Sequence, residues 1–361
     1  NVGIIIGTVW FTGGVNLFGW QIFDGGIMGV ALGVVLGSFL QLIVSAVGLA
    51  GLGFDYNFKI YWRNKGFRKV LSLLPARSVD QGMDYVVSLV EVNLASRLAD
   101  GTVRAYQQAL TLHMMPINLI GVAISNAAFP QLTEHLGEGR NDLFQKDLRS
   151  LLRIIFWMAL PVSVVIFFTR GYVVHFIRNG GNQLIAGILG CLVVAILFRT
   201  IYHMAARAFY ARQDTKTPLY ISIFSITLNI ILAIVLSMVL KMGAYGLAWA
   251  QSTVAVLEVV VLLAVMNRQM PKLFDMTFVR AIFKMMIAGT ITGVVCYIAV
   301  LIMPFRYHDD SFFSAFPKFV IISLVSFGAY AAASKWLKLP EIDPILARLK
   351  KVLFGRLEFK G

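Results

Sequence analysis

Charge is scarce in this chain. Only 14% of its residues are Asp, Glu, Lys or Arg, where a soluble domain carries roughly 25%. Cysteine is nearly missing. Cys191 and Cys296 both lie in apolar runs and read as packing residues, which excludes a disulfide framework and a paired-cysteine site. The 5 histidines are scattered, and no nucleophile–base pair, metal cluster, zinc spacing or nucleotide-binding loop is present. An enzyme is therefore not expected, and neither is a soluble domain. Acidic residues are the rarer sign, 18 against 32 Lys and Arg, for a net charge of +14. The basic residues sit in short loops between apolar spans, where they set topology, so no nucleic-acid partner is expected. The chain opens on Asn1 directly in an apolar run, with no basic leader region and no cleavage site. That start reads as a chain whose N-terminal part is missing.

What the chain has is apolar length. It is 58% hydrophobic with a mean hydropathy of +0.77, which places it in the membrane class. A crossing takes about 20 residues. Ten spans fit, near 3–23, 26–49, 69–96, 104–127, 150–169, 184–208, 218–240, 243–266, 279–303 and 315–337. Basic content alternates between the loops. The rich set is 50–69, 128–149, 207–217, 267–280 and the tail, and all fall on one side of a ten-span count. Positive-inside logic puts that side in the cytoplasm. The expected fold class is an all-α polytopic membrane protein of about ten transmembrane helices. Residues 131–149 read as a short helical linker. In the tail, Ile345, Leu346, Leu349, Val352, Leu353 and Leu357 recur at helical spacing with basic residues between. This predicts an interfacial helix on the anionic leaflet; a disordered basic tail is the other reading.

The third span is charged. Between Lys69 and Ser96 stand Arg77, Asp80, Asp84 and Glu91. Each would cost roughly 2.5–3.5 kcal/mol at the centre of a lipid-facing helix, so they must meet each other, other helices or water. Arg77, Asp80 or Gln81, Asp84, Ser88 and Glu91 share one face at 3.6 residues per turn. Two readings fit that face: the wall of a hydrated cavity, or an internal salt-bridge network locking two helices. Arg77 and Asp80 also lie near enough to the cytoplasmic end to snorkel.

The fourth span has a milder stripe of Gln107, Thr111, Asn118 and Ser125, with Gln108 and His113 beside it. Pro116 sits mid-span and frees the carbonyl of Leu112, which membranes tolerate only where neighbours or water satisfy it. A cavity face or interhelical polar contacts account for this stripe. Arg199, His203 and Arg207 form a basic row on the sixth span, suited to a phosphate or to snorkelling at lipid headgroups. Asn229, Gln251, Thr253 and Glu258 read as isolated helix contacts.

Three stretches carry a resemblance: FYARQDTKTP at Phe209–Pro218, INLIGVAISNAAFPQL at Ile117–Leu132 and NLASRLADGTVRAYQQA at Asn93–Ala109. They resemble the MurJ/MviN family of lipid II flippases, in the MOP exporter superfamily. The resemblance implies helices 5–14 of a two-lobed, fourteen-helix MOP-type transporter. Residues 1–66 would be the last two helices of the N-terminal lobe plus a basic linker. Residues 67–268 would be the six-helix C-terminal lobe, 269–337 an extra helix pair, and 338–361 the amphipathic tail. The family's eighth helix carries an Asp-Arg pair, which falls on Leu110 and Thr111 here, aligned from Pro-x-x-x-x-Gly-Val-Ala at Pro116–Ala123. That departure leaves Arg77, with Gln107 and Gln108, to supply the cavity's polar groups and marks a divergent branch.

The implied activity is flipping of an undecaprenyl-diphosphate-linked peptidoglycan precursor by alternating access. The substrate-cavity candidates are Arg77, Asp80, Asp84, Gln107, Gln108, Thr111, Asn118 and Arg199. Some family members bind sodium, and Glu91 and Asn229 fall at equivalent positions, with Ala233 in place of a second acid. Coupling to Na+ or H+, contact with membrane lipids, and cell-wall synthesis or regulatory proteins as partners are implied by the same resemblance. Rival expectations are a polysaccharide-unit or multidrug exporter of the superfamily, or a membrane scaffold that binds lipid or proteins without transport.

Overall fold

A computed structural model describes residues 2–12, 15–17, 20–23, 26–49, 62–177, 182–271, 273–304 and 312–343; the side chains of 15–17, 20–23, 49, 66, 69–70, 72–81, 83–84, 177 and 312 lie outside that description. The chain divides into two compact units, Asn1–Arg68 and Lys69–Gly361.

In the first unit, α1 (Val2–Ile6) runs on through a π-helical stretch, Gly7–Phe11, and α2 spans Ile27–Leu49. Between them lies a two-stranded antiparallel hairpin, β1 (Val15–Leu17) and β2 (Trp20–Phe23). The span expected near 3–23 is thus corrected: helix occupies its first half and hairpin its second. The Gly13–Gly14 pair supplies the sequence reason, since glycine is a poor helix former. The helices α1 and α2 meet through glycine. A Cβ on Gly7 would lie 2.5 Å from the Cα of Gly33, so the backbones touch as small residues allow in membrane helix pairs.

The second unit begins in α3 (Lys65–Ser96) and continues with α4 (Thr102–Pro116), a π-helical segment at Ile117–Val122, α5 (Ala123–Gly137), α6 (Asn141–Ile177) and α7 (Gln183–Ala211). It goes on through α8 (Lys216–Ile234) with a π-helical extension at Val235–Val239, then α9 (Ala244–Gln269), α10 (Met276–Ile302) and α11 (Phe312–Trp336). Among the described residues, eight helices are long and apolar enough to cross a membrane, and Val2–Phe11 and Tyr85–Ser96 are shorter apolar helices. The eight coincide with eight of the ten spans read from sequence, while the two shorter helices cover only part of the spans near 3–23 and 69–96. The linker expected at 131–149 is the end of α5, a turn at Gly139 with φ +73° and the first turns of α6. The predicted tail helix lies outside the described residues from 344 onward.

Helices carry this fold because hydrocarbon offers backbone groups no partner except each other. Two starts are closed by side chains: Asn182 accepts from the amide of Ile185 at 3.0 Å, and Asp275 from that of Phe278 at 2.8 Å. The centre is α7, packed by α4, α5, α6, α8 and α9. Its first half is almost wholly apolar, as a helix packed on several sides requires; Ile188, Leu189, Leu192, Ile196, Met204 and Phe209 are all buried. The pair α10–α11 packs on α6 around Trp157, Leu160, Met285 and Tyr330. Cys191 is partly buried and Cys296 buried, both free thiols.

Candidate functional site

The charged row of the third span runs along one unbroken helix, because α3 spans Lys65–Ser96. Arg77, Asp80 and Asp84 therefore share a face of α3 by register; their side chains lie outside the described residues. Glu91, four turns on from Arg77, is described. It is 2% exposed. The amide of Gln251, on α9, donates to its carboxylate at 2.7 Å. The Tyr106 hydroxyl lies beside the same carboxyl, outside hydrogen-bond geometry.

On α4 and the π-helical segment that continues it, Gln107, Thr111 and Asn118 are exposed. The Thr111 hydroxyl is tied back to the carbonyl of Gln107 at 2.9 Å, while the amide of Gln107 and that of Asn118 point outward. Gln108 is half-buried, its side-chain oxygen without a partner, and both ring nitrogens of buried His113 are likewise unbonded. Ser125, expected on the same stripe, is buried. The π-helical segment explains this. After Pro116 the amide of Ala123 reaches back five residues to Asn118. Each extra residue in such a bulge turns the remainder of the helix by roughly 100°. The stripe therefore ends at Asn118. The segment seats on α7 at Gly121, where a Cβ would come within 2.9 Å of the Thr200 carbonyl.

The basic row on α7 is engaged inside the unit. Arg199 donates to Glu258 of α9 at 3.0 Å, and Arg207 donates to the carbonyl of Val122, in the π-helical segment, at 3.0 Å. Glu258 is 3% exposed, so this pair crosses the interior, where leaving either partner alone would be costly. Gln251 and Glu258 stand two turns apart on α9 and reach α3 and α7 respectively. By sequence both read as isolated helix contacts. Their partners lie 160 and 59 residues away, a separation that spacing along one helix does not reveal.

Asn229, on α8, is 2% exposed with both amide atoms unpartnered. Glu91 on α3 and Asn229 on α8 each carry a buried side-chain oxygen, and Ala233 carries none. No cluster of three or more His, Cys, Asp or Glu occurs among the described residues.

Comparison with known proteins gives this arrangement a family. A sequence model of the family described as lipid II flippase MurJ matches residues 1–316. A probable lipid II flippase MurJ of Thermotoga maritima is 25% identical over 354 residues, covering 96% of this chain and 65% of that protein. One from Borreliella burgdorferi is 26% identical over 233 residues, 63% of this chain and 46% of that protein. The chain thus spans 46% to 65% of the length of these two relatives. A solved lipid II flippase MurJ in an inward closed conformation superposes with a TM-score of 0.67 at 23% identity, covering 93% of this chain and 66% of that one. An outward-facing multidrug MATE transporter of the MOP superfamily follows at 0.52 and 10% identity, covering 74% and 64%. At these identities the two structures establish the fold alone, that of a helical membrane protein. With most of its length matched by the family's own model, the chain belongs to the lipid II flippase MurJ family.

Proposed function

We propose that the protein this chain belongs to carries a lipid-linked peptidoglycan precursor from the inner to the outer leaflet of the bacterial cytoplasmic membrane by alternating access. The observation that carries this is the outward polar face of α4. Gln107, Thr111 and Asn118 stand exposed on a helix of membrane length, a placement that lipid penalises and a hydrated cavity accommodates. The row of Arg77, Asp80 and Asp84 along α3 would line the same cavity, with Gln108 behind it. The precursor's diphosphate cannot enter hydrocarbon unaided, since each unpaired charge there costs on the order of several kcal/mol. Polar walls replace that barrier while the lipid tail stays in the bilayer, and no covalent chemistry is required.

On this reading 1–66 closes an N-terminal lobe, 67–268 forms the C-terminal lobe, 269–337 adds the extra helix pair, and 338–361 lies on the membrane surface. Arg199 is held by Glu258, so its role is to brace α7 on α9 beside the cavity. Coupling to Na+ through Glu91 and Asn229, or to H+, belongs to the proposal, as does membrane potential, worth about 2.3 kcal/mol per charge per 100 mV. Cell-wall synthesis or regulatory proteins are the proposed partners. The MATE-like fold keeps a multidrug or polysaccharide-unit exporter as the second reading.

The experiment is complementation. The gene is expressed in cells depleted of their own flippase, and externalised precursor is measured. Rescue is expected, with Arg77→Ala and the double variant Gln107→Leu, Asn118→Leu each lowering export at least about tenfold at equal membrane abundance. Failure to rescue, joined with failure of purified protein to bind labelled precursor, overturns the reading in favour of a scaffold. Rescue that survives both variants overturns the cavity assignment.

A further inference from the structure

A cavity of about 520 Å³ opens on the second unit between the C-terminal part of α3 and the end of α8 with its π-helical extension. Leu89, Val90, Leu94, Ile234 and Met238 form apolar walls, and Asn93 and Arg97 close one end. The groove faces outward: Leu89 is 70% exposed, and Tyr85, Ile234, Val235 and Val239 around it are exposed too. On helices that cross a membrane, such an apolar surface suits the acyl chains of a bilayer lipid.

The polar end narrows the choice. Arg97 comes directly after the last residue of α3 and is exposed; its guanidinium makes no ion pair or hydrogen bond among the described residues. Lys241, three residues beyond Met238, and Arg104, at the start of α4, are exposed at the same end, with Asp100 as the acid there. An apolar trough closed by cationic donors matches an amphiphile with an anionic head. Arg pairs with phosphate through two parallel, charge-assisted bonds, and its weak hydration suits the headgroup layer.

We propose that this groove binds one anionic bilayer phospholipid, an acyl chain lying along Val90, Leu94, Ile234 and Met238 and the phosphate on Arg97. Asn93 donates its amide to the same headgroup. Occupancy of the groove is independent of whether transport occurs.

Native mass spectrometry of the purified protein tests this. The protein is stripped of lipid, then exposed to phosphatidylglycerol or phosphatidylcholine of identical chains. One phosphatidylglycerol is expected to remain bound with at least about a tenfold preference. Arg97→Gln removes the preference, Arg97→Lys keeps most of it, and Met238→Trp, which fills the trough, abolishes retention of both. Thermal unfolding of each variant in the same detergent accompanies the measurement; Arg97 is exposed, so the two Arg97 variants remain informative if Met238→Trp does not fold. Equal retention of the two lipids by the wild type, or unchanged phosphatidylglycerol retention by Arg97→Gln, overturns the proposal. Retention of a polyprenyl diphosphate ahead of phosphatidylglycerol also overturns it and assigns the groove to the transported substrate. Cross-linking of Leu89→Cys to a second polypeptide in the native membrane overturns it as well, because a protein surface then fills the trough.

Discussion

Glu91 is an acid in the interior of a membrane protein, and one amide stands between it and an unpaired state. Gln251 supplies that amide. Replacing Glu91 by Gln keeps an acceptor oxygen in place, so little change in thermal stability is expected. Replacing it by Leu leaves the Gln251 donor buried alone, and an orphaned buried polar group costs about 1–3 kcal/mol. The ordering of the two variants in thermal unfolding in detergent checks this; equal unfolding temperatures would mean that the bond contributes nothing. At the surface, Asp214 begins the turn into α8. Partial burial works against its charge, but the hydroxyl and amide of Thr217 both donate to it, and the carboxyl is held below its ordinary value. A carboxyl with a lowered folded pKa stabilises the turn above its unfolded pKa of about 3.9, and that contribution fades as the pH falls through the folded value. Protection of the Thr217 amide against hydrogen exchange, taken relative to the intrinsic rate at each pH, is expected to fall below about pH 4, and Thr217→Val to weaken it at neutral pH.

Among the elements, the π-helical segment after Pro116 sets how far α4 can present polar groups. Its seat depends on Gly121, whose missing Cβ leaves room for the Thr200 backbone. The chain there is wedged against an opposing main chain that cannot give way like a side chain. Gly121→Ala is expected to destabilise by about 1–3 kcal/mol, the usual range for overpacking, and to push α4 off α7. A thermal shift together with changed labelling of Asn118→Cys reads both effects. The end of α11 is fixed differently. Arg153 on α6 pairs with Glu341, in a 3-10 turn at Pro340–Ile342, and Trp157 donates to Ser334 at 3.0 Å. Arg153→Met alone strands a buried carboxylate, for an expected loss of about 3–5 kcal/mol. Adding Glu341→Leu should recover much of it, and a double-mutant cycle on unfolding temperatures would show that coupling. A strictly additive double variant would remove the pair as a device that holds the end of α11 on α6.

For the whole molecule, the sequence by itself determined the membrane class, eight of the ten apolar spans and the family. Each rests on a local property: about 20 consecutive apolar residues make a crossing whatever lies beside them, and the loop run Phe209–Pro218 is read residue by residue. The polar residues of α3 and α4 were legible as stripes for the same reason, since 3.6-residue spacing is a property of one helix. What only the tertiary structure decided was which of those groups look outward and which look at one another. Gln251 and Glu258 read as helix contacts, and only the packing identified the helices they reach, α3 and α7. Arg199 read as suited to a phosphate or to snorkelling, and only the packing set Glu258 opposite it. Ser125 belonged to the stripe until a single extra backbone residue in the π-helical segment turned it inward. Partner choice between helices depends on how they cross, and side-chain periodicity is blind to that: it specifies a direction around each axis and leaves the neighbour in that direction to the packing.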